Sequence, residues 1–585
     1  MCITPEEALK LFPAPTFRKY QREVITRIAN AFSSGVKCII IEAPTGFGKS
    51  YVNSTFCRWY KSFYSTPQLT LIDQMMHDKY LKNIFVEIKG RENYNCAMDI
   101  LSTVKTGLCR RDKNFKCDRF KVCPYWKQKL KAFNSNAVLL SFSYLLLEGL
   151  SQENSPLPLR ERELLVLDES HSIADYIVEH TSVEVSPFSI PKDIYESVRH
   201  MIKDDMSDED VRALIDTVKV ALESKLEVIQ MQFNEGLKLT EAEIEESDKI
   251  NEFIKNAEML LESETEWVSD INWITYKNEK IKILKVRPLF AKEFAQKMLW
   301  WRADKYIISS ATILDGAFFI REVGLKDLLD RGEILMIRVP STFPPENRPI
   351  IDATVGKMTK DKREETLPKA VKMIEAIIEA ERGKNIAIHC HSYEIAKYIA
   401  LELRKKYGDK IIFHSSSDRT AKLNLWKRSK GKVFVCVAFE EGQDWKGDIC
   451  GAQIIVKIPY PDLKDKMVAR RLELGHWNWF RFCALRDLIQ AYGRAVRTPS
   501  EKKKTYIIDS SIEPLLTNMW KFVPKWFREA LPTWWNRDKV KLLKKYYSRK
   551  RPDKELIRIA EEIKEEMQRD LMIKKFKIYK NYKNC

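Results

Sequence analysis

The feature that most constrains this chain is a glycine-containing loop between a short apolar run and a helical pattern. The run Cys38–Glu42 contains three consecutive isoleucines, which is typical of a strand buried in a parallel sheet. The loop reads Ala43-Pro44-Thr45-Gly46-Phe47-Gly48-Lys49-Ser50, and a helix is predicted over Tyr51–Phe63. Glycines at such positions let backbone N–H groups turn inward around phosphate oxygens. This strand–loop–helix order predicts a nucleotide phosphate site rather than a chance glycine turn.

An acidic pair further along the chain is the natural complement of this loop. The Lys49 ammonium would contact the β- and γ-phosphates, and the Ser50 hydroxyl would bind Mg²⁺. The apolar run Leu164–Leu167 ends in Asp168-Glu169-Ser170-His171. Asp168 would hold the hydration shell of the Mg²⁺, and Glu169 would orient and deprotonate the attacking water. Alone, an Asp-Glu pair after a strand is as often a solvated strand end, so the interpretation depends on the Lys49 loop.

A third segment carries two arginines that could complete the site. It reads Gln490-Ala491-Tyr492-Gly493-Arg494-Ala495-Val496-Arg497. Residues spaced i, i+3 share one helical face, so both guanidinium groups could reach a γ-phosphate and stabilise its charge in the transition state. By itself the segment would be interpreted as a solvated basic helix face.

Four cysteines are concentrated in one short basic segment. Cys96, Cys109, Cys117 and Cys123 are separated by 12, 7 and 5 residues, whereas the other eight cysteines are scattered. Four thiolates can bind Zn²⁺ or a [4Fe–4S] cluster. The short Cys-x₂₋₄-Cys spacing of structural zinc sites is absent, and Cys123-Pro124 is similar to the Cys-Pro that closes many iron–sulfur sites. Spacing alone favours iron–sulfur only slightly and leaves zinc open.

Composition and charge exclude several classes of protein. With 44% hydrophobic and 31% charged residues, the 585-residue chain is globular rather than disordered. No apolar run is long enough to span a membrane, so no membrane association is expected. The segment Met1–Leu11 has no apolar signal core, which predicts a cytoplasmic protein in a reducing compartment. The formal net charge of +18 favours a polyanionic partner, nucleic acid before membrane.

The charge is unevenly distributed along the chain. Residues 201–270 contain 20 acidic and 7 basic residues, residues 89–131 contain 12 basic and 4 acidic, and residues 536–585 contain 17 basic and 8 acidic. Asymmetry of this size usually marks separate units with different neighbours. The stretch Asp193–Glu264 is predicted to be entirely helical, and the tail from Pro552 to be a charged amphipathic helix.

Elsewhere, short apolar runs alternate with helical patterns, which predicts an α/β fold with parallel sheets. Besides the two runs already named, strands are predicted over Lys305–Ser309, Asn385–Ile388, Gly431–Val437 and Ala452–Ile458, and helices over Leu367–Arg382 and Glu394–Tyr407. The histidines of His389-Cys390-His391 share one strand face and are interpreted as structural rather than metal-binding.

The order of these motifs resembles that of superfamily-two helicases. The finer resemblance is to the XPD/DinG group of iron–sulfur-containing DNA helicases, closest to archaeal XPD-like proteins, and it covers Phe17 to Asp509. The segments that carry it besides the motifs above are Phe17-Arg18-Lys19-Tyr20-Gln21 (the adenine motif, with Arg18 and Gln21), Thr66–Leu69 with Gln74 (motif Ia), Lys89–Cys96, Ser310-Ala311-Thr312 (motif III) and Glu441-Gly442-Gln443-Asp444 (motif V, with Gly442 and Asp444).

The resemblance implies two RecA-like motor domains with ATP and Mg²⁺ in the cleft between them. It assigns the coupling residue His171 to the first domain and Gln490, Arg494 and Arg497 to the second. It also implies a [4Fe–4S] cluster on the four cysteines and a helical arch between motifs II and III. The expected units are motor domain 1 in three parts (1–88, 132–173 and 285–345), the iron–sulfur domain (89–131), the arch (174–284), motor domain 2 (346–535) and a basic helical tail (536–585).

The function implied by the resemblance is an ATP-dependent DNA helicase that translocates 5′-to-3′ on single-stranded DNA and unwinds duplexes in DNA repair. Its expected partners are single-stranded and forked DNA, with a monomeric chain that could meet repair factors. Alternatives are an RNA or RNA–DNA hybrid helicase and a redox-sensing DNA-binding ATPase.

A separate hypothesis concerns the basic cysteine segment, which we expect to form a rigid wedge. Its charges would face the DNA backbone and its aromatic residues would contact bases. The charges are Arg110, Arg111, Lys113, Lys116, Arg119 and Lys121, and the aromatic residues are Tyr94, Phe115 and Phe120.

Overall fold

Two parallel sheets, each covered by helices, form the frame of the computed structural model, which describes residues 2–150, 157–276, 279–437, 449–494, 500–548 and 553–572. The strands of this described chain are β1 (Cys38–Glu42), β2 (Ser62–Thr66), β3 (Val86–Glu87), β4 (Asn95–Cys96), β5 (Asp99–Thr103), β6 (Ala137–Ser141), β7 (Arg162–Asp168), β8 (Val183–Val185), β9 (Trp267–Tyr276), β10 (Glu279–Pro288), β11 (Ala303–Ser310), β12 (Ile334–Arg338), β13 (Ile350–Gly356), β14 (Ile386–His389), β15 (Ile411–Phe413), β16 (Val433–Cys436), β17 (Ala452–Ile455) and β18 (Lys504–Asp509).

The α-helices lie between and around these strands. They are α1 (Pro5–Lys10), α2 (Gln21–Ser33), α3 (Lys49–Cys57), α4 (Leu69–His77), α5 (Leu108–Arg111), α6 (Arg119–Val122), α7 (Pro124–Asn134), α8 (Phe142–Leu150), α9 (Ile173–His180), α10 (Lys192–Val198), α11 (Asp208–Asn234), α12 (Glu241–Leu261), α13 (Lys292–Met298), α14 (Gly316–Glu322), α15 (Lys326–Asp330), α16 (Arg363–Ala380), α17 (Tyr393–Tyr407), α18 (Arg419–Lys427), α19 (Lys466–Glu473), α20 (Trp477–Tyr492), α21 (Ile512–Met519), α22 (Lys525–Ala530), α23 (Arg537–Ser548) and α24 (Lys554–Met572).

The first sheet has seven parallel strands in the order β12-β1-β11-β7-β2-β6-β3. Every residue of β1 and β2 is buried, because helices cover both faces of the sheet and leave two apolar cores. Since the strands are parallel, their carboxyl ends meet along one edge. The glycine loop after β1, Asp168 at the end of β7 and Ser310 at the end of β11 therefore lie at the same edge.

The second sheet has six parallel strands in the order β13-β18-β17-β14-β16-β15. Helices α16 and α17 pack in the core on one face, and α20 to α22 pack in the core on the other. Together the two parallel sheets confirm the α/β class that the alternating pattern predicted.

A separate unit is inserted between β7 and β11, and it contains more than helices. Helices α10, α11 and α12 confirm the helical prediction for Asp193–Glu264, but β8, β10 and β9 also form an antiparallel sheet that was not predicted. Apolar and polar residues alternate along β10, which is typical of a sheet with one solvated face. The abundance of charged residues hid this alternation. We call residues 183–288, which share one core, the inserted unit.

The cysteines lie in a segment of short elements, residues 89–131, which we call the Cys subdomain. It contains the two-stranded sheet of β4 and β5 and the helices α5 and α6, and it ends within α7. Tyr125 and Trp126 of α7 are buried in a core of the first sheet and attach the subdomain to it.

Two predictions about helices have different outcomes. The helix predicted over Tyr51–Phe63 was too long, because α3 ends at Cys57 and Phe63 already lies in the buried strand β2. The C-terminal helix is confirmed as α24, which packs against α23. In the part of the chain that the structure describes, no helix is long and apolar enough to span a membrane.

Candidate active site

The glycine loop has the backbone shape that phosphate binding requires. Gly46 and Gly48 have φ values of 84° and 85°, in the left-handed region where a side chain would be strained. A Cβ at Gly48 would also lie 2.7 Å from Nε2 of Gln21. Helix α3 begins at Lys49, so its free N–H groups point into the loop.

The structure brings the predicted basic and acidic residues of the first sheet together. Lys49 Nζ lies 2.9 Å from Glu169 Oε1. The Ser50 hydroxyl donates to Oδ2 of Asp168 at 3.2 Å. Ser50 and Asp168 are oxygen donors of the kind that Mg²⁺ prefers, and Mg²⁺ commonly takes only one or two protein ligands beside phosphates and water. These two side chains therefore fit a magnesium site completed by a nucleotide.

Asp168 is held by two residues that the sequence reasoning missed. The Tyr64 hydroxyl donates to Oδ2 at 2.7 Å, and the Ser309 hydroxyl donates to Oδ1 at 2.8 Å. Asn53 donates to Ser309 in turn, at 2.8 Å. Burial and the Asp168 charge raise the pKa of Tyr64 well above its usual value, so its hydroxyl stays protonated and able to donate. The only sequence signal was a hydroxyl within each apolar strand.

A residue of the second sheet reaches across to the first. Gln490, in α20, donates from Nε2 to Thr312 Oγ1 at 2.7 Å and lies 3.4 Å from His171 Nδ1. His171 also shares a hydrogen bond with the Ser310 hydroxyl at 2.9 Å. Hydrogen-bonded side chains therefore connect helix α20 to the segments that follow β7 and β11.

The end of α20 contacts the glycine loop directly. The Thr45 hydroxyl donates to the carbonyl of Gly493 at 3.1 Å. Arg494 follows and is buried. The remaining predicted site residues, Arg497, Gly442 and Asp444, lie outside the described residues.

Arg18 and Gln21 lie beside the loop and bind its backbone. Arg18 Nη1 donates to the Gly46 carbonyl at 2.7 Å, and Gln21 Nε2 donates to the Phe47 carbonyl at 2.9 Å. Both side chains therefore lie beside the predicted phosphate loop, and these contacts are made to protein.

The segment connecting the two sheets also reaches the loop, which no sequence signal indicated. The Phe343 ring occupies the space where a Cβ of residue 46 would lie. Its carbonyl accepts from Nε of Arg348 at 3.0 Å, and Arg348 Nη1 lies 3.2 Å from the Tyr492 hydroxyl on α20. Phe343 and Arg348 thus connect the loop to the second sheet.

The four cysteines do not gather into a metal-binding group. Cys96, Cys109 and Cys117 are partly exposed and Cys123 is buried. Among the described residues, no three His, Cys, Asp or Glu side chains are arranged to hold a metal ion. The described residues therefore give no support to the iron–sulfur centre that the resemblance implies.

Several charges expected to face DNA instead face the inserted unit. Arg110 makes two hydrogen bonds to Asp248, at 2.9 and 2.6 Å, and Arg111 contacts Glu241. Lys113 donates to the carbonyl of Asn234 at 2.8 Å. Arg110 and Arg111 contact acidic residues of helix α12. The number of charges in each segment does not show which segments are in contact. We call these contacts the clasp.

Tyr94, one of the aromatic residues of the wedge hypothesis, is also placed differently from that hypothesis. Tyr94 packs edge-on against Tyr125, with ring centroids 5.7 Å apart, and its hydroxyl accepts from the N–H of Lys89. It therefore secures the subdomain to α7 rather than being presented to a base.

Comparison with protein families gives two matches that lie on the two sheets. Residues 14–203 match the type III restriction enzyme res subunit family, and residues 374–530 match the helicase C-terminal domain family. Together they cover the glycine loop, the acidic pair and the arginine segment.

The chain is similar to three bacterial helicases. It is 26% identical to the ATP-dependent DNA helicase DinG of Photobacterium profundum over 258 residues, which is 40% of this chain and 36% of that protein. It is 22% identical to the helicase YoaA of Haemophilus influenzae over 68% of this chain and 67% of that protein. The match to Escherichia coli YoaA is 20% identical over 86% of this chain and 93% of that protein. The chain thus spans about a third of the DinG relative.

Solved structures show the fold. An XPD helicase superposes with a TM-score of 0.59 at 15% identity, covering 87% of this chain and 98% of that one. Xpd4 of S. tokodaii superposes with a TM-score of 0.54 at 16% identity, covering 86% and 98%. The two parallel sheets are therefore two RecA-like domains.

Proposed function

We propose that this chain is an ATP-dependent DNA helicase, because it belongs to the XPD/DinG-like family of superfamily-two helicases. The observation that carries the proposal is that both RecA-like domains contribute to one site. The first provides Lys49, Asp168 and Glu169, and the second reaches the same edge through Gln490 and Gly493. A site shared between two domains couples hydrolysis to their relative movement.

The Lys49–Glu169 ion pair supports a role for Glu169 as the general base. When ATP binds, its β- and γ-phosphates compete for the Lys49 ammonium, and the Glu169 carboxylate can then accept a proton from the attacking water. Ser50 and Asp168 would hold Mg²⁺, which supplies charge neutralisation on the phosphates. Tyr64 and Ser309 keep the Asp168 carboxylate oriented.

Gln490 supports the coupling between domains. Its amide touches both Thr312, after β11, and His171, after β7. Gln490 is therefore one of the side chains that connect α20 to the residues beside the acidic pair. We propose that closure on ATP and reopening after hydrolysis move the two domains stepwise along single-stranded DNA, mainly through contacts to phosphates.

The basic test is steady-state ATP hydrolysis with and without single-stranded DNA. Lys49→Ala should abolish it, since the triphosphate loses its main cation. Lys37→Ala is the matched control, because Lys37 is half-exposed and pairs with Glu333 away from the loop. Hydrolysis that survives in Lys49→Ala would count against the proposal.

The finer proposals concern direction, substrate and role. We propose 5′-to-3′ movement, unwinding of forked DNA and a function in DNA repair by a monomer. Unwinding of 5′-tailed and 3′-tailed duplexes made of DNA, RNA or a hybrid tests them together. Unwinding from 3′ tails alone would overturn the direction, and a preference for RNA would favour the RNA-helicase alternative.

The iron–sulfur cluster stays a prediction that rests on the cysteine spacing and on the resemblance. The described geometry does not support it. Iron, sulfide and zinc analysis of protein purified without oxygen decides the question, with a Cys117→Ser variant as the comparison. About four irons per chain would support the cluster, and about one zinc would support the alternative.

A further inference from the structure

The C-terminal helices α23 and α24 form a pair that is attached to the second RecA-like domain. The Asp538 carboxylate of α23 accepts from Nε1 of Trp520 at 2.9 Å and from Nη1 of Arg528 at 3.1 Å. The Asp570 carboxylate of α24 accepts from the backbone N–H of Thr533 at 2.9 Å. These bonds fix the pair on the domain. The match to the helicase C-terminal domain family ends at residue 530, so the pair takes no role from that family.

The charges of this pair are separated between its two helices. Helix α23 has five basic residues and one acidic residue, Asp538, which is bound to the domain. Helix α24 has four basic and six acidic residues. Lys539 of α23 forms an ion pair with Glu566 of α24. The excess of positive charge therefore lies on the remaining surface of α23.

One face of α23 is both basic and exposed. Lys541, Lys544 and Lys545 are spaced i, i+3 and i+4, so they share a helical face, and all three are exposed. Within the described parts of the chain, none of the three makes an ion pair. Tyr547 lies one turn beyond Lys544 and is 69% exposed. We call these four residues the α23 face.

Several exposed lysines on other helices differ from those of the α23 face, because an acidic residue of the same helix neutralises them. Such pairs stabilise a helix slightly, whereas lysines at i, i+3 and i, i+4 repel one another. The helix dipole offsets this repulsion only in the last turn, and Lys541 lies earlier. The α23 face is thus unfavourable for the helix alone and becomes favourable when a polyanion lies against it. The pairs on other helices are Lys326 with Asp330, Lys369 with Glu365 and Lys405 with Glu402.

The chemistry of the α23 face identifies the kind of partner. Ammonium groups bind the phosphates of nucleic acid, and an exposed aromatic ring stacks on unpaired bases of any sequence. The apolar residues Val540, Leu542 and Leu543 are partly buried, so the face does not have the apolar surface that a membrane-bound helix needs. An acidic polypeptide would satisfy the lysines but offers no flat ring to Tyr547. Single-stranded nucleic acid satisfies both.

We propose that the α23 face is a second contact surface for single-stranded nucleic acid, beside the one that the two RecA-like domains provide. Its three lysines bind phosphates, and Tyr547 stacks on a base. The inference rests on the proposed helicase function only for the choice of DNA as the strand. Because the surface is attached to the second domain, it keeps the strand bound while the cleft between the domains reopens.

Equilibrium binding of the full chain to a labelled oligo-dT strand, measured without nucleotide over a series of salt concentrations, tests the proposal. The triple variant Lys541→Ala, Lys544→Ala and Lys545→Ala should reduce the slope of log K against log salt concentration by about two, since each phosphate contact on a single strand contributes about 0.7. Tyr547→Ala should weaken binding by about fivefold or more, and Tyr547→Phe should restore it, because the ring is retained.

The matched control is a second triple variant with the same change in net charge. It replaces exposed lysines at and just after the end of α17, so a general loss of positive charge would affect both triple variants equally. Alanine is the best helix former, and thermal unfolding checks that each variant folds. Binding to a DNA duplex and to poly-glutamate is measured in parallel. The control substitutions are Lys405→Ala, Lys406→Ala and Lys410→Ala.

A smaller salt slope in the α23 variant than in the control, together with weaker binding by Tyr547→Ala, supports the proposal. Equal slopes in the two triple variants overturn it and leave α23 as a solvated helix. A loss confined to poly-glutamate would assign the face to an acidic protein, and a loss confined to the duplex would exclude single strands. The helicase proposal fails separately, by absence of DNA unwinding in the wild type, because this binding is measured without nucleotide.

Discussion

The nucleotide site and the Cys subdomain are built in opposite ways. Side chains of the site lie at or just after the buried carboxyl ends of parallel strands, so the sheet fixes their positions. The Cys subdomain has short elements and many charges, and its Arg110 and Arg111 contact acidic residues far along the chain. The positions of residues at strand ends can be predicted from their own local sequence. Residues in short, charged segments are placed by partners that local sequence does not reveal.

The largest expected effect is at the acidic pair. Glu169→Gln removes the proposed base and the charge that pairs with Lys49, and kcat for ATP should fall by about 10²–10⁴. Steady-state hydrolysis measures this, with Glu161→Gln just before β7 as the control. If the Glu169→Gln variant hydrolyses ATP at the wild-type rate, the position of Glu169 at the end of a buried strand does not identify it as the general base.

A second expected effect concerns buried histidines at the end of β14. Burial and Arg494 lower the pKa of His389 to about 3, and burial lowers that of His391 to about 4. Both are neutral in the folded protein, so stability is full above the unfolded pKa near 6.5 and is lost as pH falls towards 4. Each would contribute about 1.4 kcal/mol per pH unit.

Thermal unfolding between pH 7.5 and 4.5 checks this, with His389→Asn and His391→Asn as variants. The variants should flatten the loss of stability at low pH. An equally steep loss in both would contradict the assignment of the titration to this strand end.

A smaller effect is expected at Tyr64. Tyr64→Phe removes one hydrogen bond to the Asp168 carboxylate and should lower kcat/KM by about tenfold, since such bonds contribute about 1.5–3 kcal/mol. It should also raise the Mg²⁺ concentration needed for half-maximal rate. Tyr60→Phe is the control, because its hydroxyl binds the Ile3 N–H instead. An unchanged Mg²⁺ requirement would mean that Tyr64 serves packing alone.

The smallest effect is expected at the clasp. Arg110 and Asp248 are partly exposed, so a double-mutant cycle with alanine should give a coupling free energy of about 1 kcal/mol or less, falling with added salt. The exposed pair Lys326 and Asp330 provides a reference cycle. A coupling free energy of several kcal/mol would mean that the contacts of the Cys subdomain fix its side chains as firmly as the sheet fixes those of the nucleotide site.

Sequence reasoning therefore succeeded where burial dictates structure. The apolar runs at β1, β7 and β11 were identified correctly, because a strand buried on both faces has a strong local signature. The antiparallel sheet of the inserted unit was missed, since charged residues alternate with apolar ones along β10. Tyr64 and Phe343 were missed because their roles arise from residues brought together only by folding.

The contact between Phe343 and Gly46 has a consequence for how such a chain can vary. The ring fills the space that any side chain at position 46 would need, and the left-handed φ there favours glycine independently. A substitution at 46 is thus blocked twice, while a smaller residue at 343 would lift only one of the blocks. The segment that connects the two domains therefore helps to restrict which residue the glycine loop can have at position 46.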